Sequence, residues 1–195
     1  MLIIRLLRNL LALVGLAAVI AAGMLYPQVK KFKSEFDPGA FNAYKELVGQ
    51  VLEKGNAVEA TIWKRKIADG VSFDDAIESM KIAANEHNIK NVGELPLYKE
   101  VEALSGAPYR RAQIFMFCNA LTAAKMMDYK DAYSAYLPCR VALVEDKQGQ
   151  GWLYSLNMDL MIHGGEPLPS ELKEEALNVK KIILDIMDRG ASGDF

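Results

Sequence analysis

The residues best suited to chemistry in this chain are its two cysteines. Cys118 lies in the segment FCNA and Cys139 in the segment LPCR, and each segment is predicted to mark one end of a β-strand. A disulfide between them would close a loop of about 20 residues, worth about 3 kcal/mol in the chain-entropy model. The cysteines could instead be small buried apolar side chains, or ligands of a metal or cofactor. No Cys-x-x-Cys spacing is present, which disfavours thioredoxin-like chemistry.

Two polar residues lie next to the cysteines in the sequence. Asn119 and Arg140 could satisfy turn carbonyls and cap a helix. His163 precedes a glycine pair and is a weak third candidate for a soft-metal site with the two cysteines. A surface position is the plainer interpretation of this histidine. No residue is predicted to be catalytic, and no cofactor is predicted.

Residues 1–27 have the composition of a membrane anchor. From Leu10 to Tyr26 no residue is charged, which corresponds to roughly 25 Å of helix. If Arg5 and Arg8 snorkel toward the lipid head groups, the apolar stretch matches a hydrocarbon core of about 30 Å. A cleaved signal peptide also begins with basic residues, but its apolar part is usually about 7–15 residues long. The sequence therefore predicts a retained transmembrane helix, with membrane lipid as a partner.

One side of the predicted anchor carries small residues, which let helix backbones approach closely in lipid. These residues are Gly15, Ala18 and Ala22. Their spacing predicts a contact with another membrane helix. The alternative is that small residues are simply frequent in membrane helices.

The orientation of the anchor depends on the basic residues at its two ends. Arg5 and Arg8 precede the apolar stretch, and Lys30, Lys31 and Lys33 follow it. The positive-inside rule counts both groups. A short basic N-terminus tends to stay inside, so we expect a single-pass protein of the inner membrane with its globular part in the periplasm.

The rest of the chain predicts a juxtamembrane linker and helix over 28–55 and one α+β domain over 56–195. The formal net charge is −2. No basic stripe is interleaved with aromatic residues, so nucleic acid is not an expected partner.

Local signals in the first half of the chain predict where elements begin. Asp37 is placed to cap a helix over 38–55. Residues 57–67 alternate in the manner of a strand. Ser72 followed by Asp75 resembles the capping box that opens a further helix.

The second half predicts an antiparallel sheet covered by a helix. Residues 111–118 have the composition of a central strand, and 138–144 with 152–156 form a hairpin. A last helix starts near Ser170 and is predicted to end at Gly190. Its apolar seam covers the sheet or, alternatively, forms a dimer contact; the seam consists of Leu172, Ala176, Val179, Ile183 and Ile186. This mixture predicts an α+β fold, a compact two-layer domain with helices packed on a mostly antiparallel sheet.

Three segments follow one another in the second half: FCNA at a strand end, then LPCRVALVED, then the return strand in KQGQGWLYSLNMDLM. In this combination the chain resembles the domain of unknown function 302 family over residues 56–190. Ala120 stands where the family usually has proline, so the turn after Asn119 is less constrained. The resemblance implies a compact α+β domain that often dimerises, and it implies no particular reaction. It also implies that Asn119 and Arg140 lie near a cleft, where they could hold a small anionic ligand.

These features favour a single-pass, membrane-anchored accessory or binding subunit of a larger membrane assembly, without catalysis of its own. The expected protein partners are other membrane subunits or a second copy of this chain. The alternative is a membrane-tethered thiol, metal-binding or small-ligand-binding protein that uses Cys118 and Cys139.

Overall fold

The structure, a computed structural model, describes residues 2–195; Met1, the first residue of the predicted anchor, lies outside the described residues. The helices are α1 (Leu2–Glu35), α2 (Ala40–Lys54), α3 (Ala57–Ala60), α4 (Phe73–Glu86), α5 (Leu97–Ser105), α6 (Ala120–Tyr129), α7 (Asp159–His163) and α8 (Ser170–Ser192), with a 3₁₀ helix at Asp131–Tyr136. The strands are β1 (Ile62–Lys66), β2 (Lys90–Leu95), β3 (Ala112–Cys118), β4 (Cys139–Glu145) and β5 (Gly151–Leu156).

The five strands form one antiparallel sheet in the order β1-β5-β4-β3-β2. The predicted hairpin of β4 and β5 lies at its centre. Alternate side chains of the three inner strands are buried on one face, where Phe115, Val141 and Leu153 have no exposed surface. Helices α4 and α8 pack against each other and cover this face. The predicted α+β architecture, a helix layer on a mostly antiparallel sheet, is confirmed.

Helix α8 continues past the residue that was predicted to end it. The sequence predicts a stop at Gly190, but the helix runs to Ser192 and ends at Gly193, which has a left-handed φ of 73°. A Cβ on Gly190 would lie 2.4 Å from Cγ of Met80 in α4. The glycine therefore allows close packing of the two helices rather than termination. The seam faces the protein's own core as predicted, with four of its members buried: Leu172, Ala176, Ile183 and Ile186.

Helix α2 begins later than the sequence predicts. Asp37 does not cap it, because the helix starts at Ala40 with Gly39 at the cap position. The Oδ1 atom of Asp37 instead accepts a hydrogen bond from the backbone N–H of Gly39 at 2.8 Å. The other contacts of this carboxylate are made with side chains far away in the sequence, so the tertiary structure decides its role.

The predicted strand over 57–67 is divided in the structure. Asn56 caps the short helix α3, since its side chain accepts a hydrogen bond from the N–H of Val58 at 2.9 Å. Strand β1 follows only after this turn of helix. The capping box at the start of α4 is confirmed: Ser72 and Asp75 each accept a hydrogen bond from the other's backbone N–H.

Helix α1 has the length and composition of a membrane-spanning helix. Its 34 residues correspond to about 51 Å, which exceeds a hydrocarbon core of about 30 Å. The last turns of α1 therefore extend beyond the apolar segment toward the globular domain. A signal sequence near an N-terminus shares these properties, so length and composition identify α1 as a candidate anchor.

Candidate functional site

The sheet brings the two cysteines to the same end of neighbouring strands. Cys118 is the last residue of β3 and Cys139 is the first of β4, and the register pairs Cys139 with Phe117. Both residues line one cleft at the end of the sheet. Both are free thiols. The structure therefore confirms that the cysteines are neighbours and does not confirm a disulfide between them.

Three methionines line the same cleft as the two cysteines. Met126 comes from α6, while Met158 and Met161 lie just before and within α7. Met126 and Met158 are almost completely buried. The remaining lining residues are uncharged, namely Phe117, Asn119, Thr122, Ala123, Tyr133, Leu137, Ala176 and Val179. We call this space the sulfur cleft.

The methionines of the sulfur cleft could not be found from the sequence. Met126 lies in a helix between the two cysteines, and Met158 and Met161 follow Cys139 after the hairpin of β4 and β5. Methionine in a helix is usually a core residue. Only the folded structure places these residues in the cleft that the cysteines line.

Neither thiol is activated by its surroundings. Burial raises the pKa of Cys118. Burial, and to a smaller extent the neighbouring Cys118, raise the pKa of Cys139 to about 11. A reactive cysteine needs a lowered pKa, because the thiolate is the nucleophile. At neutral pH both residues are therefore protonated thiols.

The structure separates the two polar residues that accompany the cysteines. Asn119 caps α6, since its Oδ1 accepts hydrogen bonds from the N–H groups of Leu121 and Thr122, both at 3.2 Å. It also lines the sulfur cleft. Arg140 is exposed and lies opposite Met116, on the sheet face away from α4 and α8. The two residues therefore do not face a common ligand position.

His163 lies apart from the cysteines and contacts Asp37. Its Nδ1 is 2.9 Å from Oδ1 of Asp37, whose other oxygen forms an ion pair with Lys173. Within residues 2–195, no three His, Cys, Asp or Glu side chains are arranged to hold a metal ion. His163 is thus part of a charged cluster between the N-terminal helices and α8, and the predicted set of two cysteines and a histidine is not assembled.

The Asp37 cluster joins the candidate anchor to the domain. The side chain of Asp37 is completely buried, and its backbone N–H donates to the carbonyl of Gly165 at 2.8 Å. Burial alone raises the pKa of Asp37, but hydrogen bonds from Lys173, Gly39 and His163 outweigh it and hold that pKa below its ordinary value. The carboxylate is therefore charged and fixed where α1 gives way to α2.

Aromatic contacts reinforce this joint. Phe32, near the end of α1, stacks on Phe36 with ring centroids 4.4 Å apart and lies 6.3 Å from the ring of Tyr44 in α2. The hydroxyl of Tyr44 donates to the carbonyl of Gly164 at 2.5 Å. These contacts tie α1 and α2 to each other and to the loop after α7.

Helix α2 has one apolar face that the domain leaves exposed. Phe41, Val48 and Leu52 recur at the spacing of one helix face, and they are 65%, 56% and 80% exposed. Within residues 2–195, these three side chains are left largely exposed. We call this set the α2 stripe.

The small-residue face of α1 is also uncovered. Gly15, Ala18 and Ala22 are exposed, and nothing lies within 4 Å of a Cβ built on Gly15. The structure therefore leaves room for a helix to approach at the predicted position, and it does not test whether one does.

Comparisons with known proteins place the domain in a known family. The family model described as "Domain of unknown function DUF302" matches residues 63–190. A crystal structure of an uncharacterized conserved DUF302 protein from Bacillus stearothermophilus superposes with a TM-score of 0.53 at 15% identity, covering 66% of this chain and 97% of that chain. At this identity the likeness shows the fold alone. No curated protein matches significantly.

Proposed function

This chain belongs to the DUF302 family, and from that premise we propose that it is a membrane-anchored binding subunit of a larger membrane protein assembly, without catalysis of its own. The single observation that carries this proposal is the α2 stripe, which is exposed directly after the candidate anchor. Large apolar side chains grouped on one exposed surface are characteristic of interaction sites.

The contacts at Asp37 support a role in which α1 and α2 are held in a fixed position relative to the domain. The end of α1 is held to the domain by a buried ion pair and by aromatic stacking rather than by a loose linker. The α2 stripe therefore keeps a defined position relative to the membrane. Such an arrangement suits an interface whose partner is also fixed in the membrane.

A protein partner fits the α2 stripe better than the lipid surface does. Helices that bind in the plane of a membrane are typically rich in lysine and arginine on their polar face. In α2 the charges of Lys45 and Lys54 are balanced by those of Glu46 and Glu53. The helix thus has no net attraction to anionic lipid, and we infer that the stripe packs on an integral membrane protein.

The anchor would add to the same interface. Gly15, Ala18 and Ala22 form an uncovered face on which a partner helix can pack closely. The proposed location is the inner membrane, with the domain in the periplasm, because Arg5 and Arg8 favour a cytoplasmic N-terminus. Protease added outside spheroplasts should then digest the domain, whereas protection there would contradict the orientation.

The proposal is tested by purifying the full chain through a C-terminal tag from host membranes in mild detergent. The test variant is Phe41→Ser, Val48→Ser and Leu52→Ser combined. The control combines Val92→Ser, Leu104→Ser and Leu121→Ser, which are 54%, 88% and 78% exposed elsewhere on the domain. We expect a second membrane protein in stoichiometric amount with the wild type and the control, and a loss of about tenfold or more with the stripe variant.

Three results would overturn the proposal. The first is that no second polypeptide co-purifies in stoichiometric amount. The second is that a partner remains equally bound by the stripe variant. The third is that only a second copy of this chain is recovered, which would make the stripe a homodimer contact. Thermal unfolding of all three proteins establishes that each is folded.

A further inference from the structure

The sulfur cleft contains an unusual set of donor atoms for a space between a sheet and its helices. Two cysteines and three methionines are among the residues that line it, and among residues 2–195 no charged residue or histidine does. Its cavity volume is about 30 Å³. A single water needs about 10–15 Å³ on this measure, so the space suits an occupant of atomic size rather than an organic cofactor.

Sulfur donors select soft metal ions. Thiolate and thioether ligands favour Cu(I), whereas Mg²⁺, Ca²⁺ and Mn²⁺ prefer oxygen. Zinc is bound mainly by thiolate, imidazole and carboxylate groups, of which the sulfur cleft offers only the two cysteines. The thioethers of Met126, Met158 and Met161 are the feature that distinguishes a monovalent copper site from a zinc site.

We propose that the sulfur cleft binds one Cu(I) ion through Cys118, Cys139 and one or more of the three methionine thioethers. The site does not depend on the α2 stripe or on a protein partner. Coordination by one thiolate cancels the charge of Cu(I), and coordination by both leaves a single negative charge in a lining of uncharged residues. Cu(I) enters and leaves in the same oxidation state, so no electron is exchanged with the protein.

Binding of Cu(I) releases protons from the thiols. Each thiol that coordinates exchanges its proton for the metal, so the S–H bond breaks, an S–Cu bond forms and H⁺ passes to solvent. Because each coordinating thiol releases a proton, affinity should increase as the pH is raised.

The test is an anaerobic titration of the detergent-purified full chain with Cu(I), competed against bicinchoninate. We expect one Cu(I) per chain, a thiolate-to-copper charge-transfer band, and X-ray absorption with sulfur neighbours only. The combined Cys118→Ser and Cys139→Ser variant should lose the band and the binding. Zn(II) should not displace Cu(I) when present in excess.

Methionine variants make the test independent of the cysteines. Met126→Leu, Met158→Leu and Met161→Leu conserve volume and should leave the fold intact. At least one should weaken Cu(I) binding by about tenfold or more, the loss typical even of outer-shell partners. The matched control is Met127→Leu, the next residue of α6, which does not line the cleft.

The proposal is overturned by any of three outcomes: no Cu(I) bound by the wild type, Zn(II) bound as tightly as Cu(I), or unchanged affinity in all three methionine variants. If the double cysteine variant does not fold, the methionine series and the absorption spectrum decide the question. Loss of a protein partner in the stripe variant has no bearing on these outcomes.

Discussion

Replacing Asp37 with asparagine tests whether the joint between the anchor and the domain stabilises the fold. The buried carboxylate accepts hydrogen bonds from the N–H of Gly39 and from His163, and it forms an ion pair with Lys173. Asparagine keeps the shape and can still accept from Gly39. It carries no charge, however, so the ammonium group of Lys173 loses its counter-ion.

The expected loss follows from the burial of the two partners. Removing one member of a buried ion pair costs about 3–5 kcal/mol. The side chain of Lys173 is 26% exposed, so water can solvate part of its charge, and the lower end of the range applies. We expect a loss of about 3 kcal/mol in the free energy of unfolding. In a chain of this size each 1 kcal/mol lowers the melting temperature by about 2–4 °C, which predicts a decrease of roughly 6–12 °C.

The loss should depend on pH in a defined direction. The pKa of Asp37 is held below its ordinary value of 3.8 by its hydrogen bonds, which outweigh the effect of burial. A carboxyl group with a lowered folded-state pKa contributes stability above its unfolded pKa, and this is lost as the pH falls through the folded pKa. The difference between wild type and Asp37→Asn should therefore be complete at neutral pH and shrink below about pH 3.8.

The measurement is thermal unfolding of the full chain in detergent, followed by the fluorescence of Trp63 and Trp152 in β1 and β5. The control is Asp69→Asn, since Asp69 is 86% exposed and pairs only with Lys66 three residues away. An exposed pair of this kind contributes at most about 1 kcal/mol. Equal losses in the two variants, or a difference that does not shrink in acid, would refute the reasoning about Asp37.

Two further predictions concern packing and thiol reactivity. Gly190→Ala should destabilise the chain by about 1–3 kcal/mol in urea unfolding, because its Cβ would displace Met80. Gly49→Ala, in α2 with nothing within 4 Å of the new Cβ, should stabilise the chain by up to about 1 kcal/mol. A Gly190→Ala variant more stable than the Gly49→Ala variant would contradict this account. In a Cys118→Ser variant at neutral pH, iodoacetamide should modify Cys139 about 100-fold more slowly in the folded chain than in the urea-unfolded chain. The reason is that burial raises the pKa of Cys139 to about 11. Equal rates in the two states would show that the thiol is not buried.

The elements defined by local signals were predictable from the sequence. Strand β3 has the continuous apolar composition of a buried strand, and the hairpin of β4 and β5 is marked by its polar loop. The Ser72 capping box acts within one turn of helix, so it needs no tertiary information. These elements also fix the register that makes Cys118 and Cys139 neighbours. For that reason the part of the sulfur cleft that the two cysteines line could be located from the sequence.

The rest depends on contacts between distant residues. Gly190 carries the local signal of a helix end, and only the approach of Met80 in α4 shows that it is a packing position. Asp37 has the local signal of a helix cap. In the structure it instead forms an ion pair with Lys173 of α8. The sequence does not indicate which methionines line the sulfur cleft, because this depends on which side of each helix faces the cysteines.

The anchor joint and the sulfur cleft are linked through helix α7. Met161 lines the cleft, and its carbonyl accepts a hydrogen bond from the hydroxyl of Tyr133 at 3.3 Å. His163, two residues later on the same short helix, contacts Asp37 just after the candidate anchor helix α1. Because α7 is only 5 residues long, a displacement of Met161 toward a bound ion would also move His163. An ion in the cleft would therefore act on the same short helix that contacts Asp37 between α1 and α2.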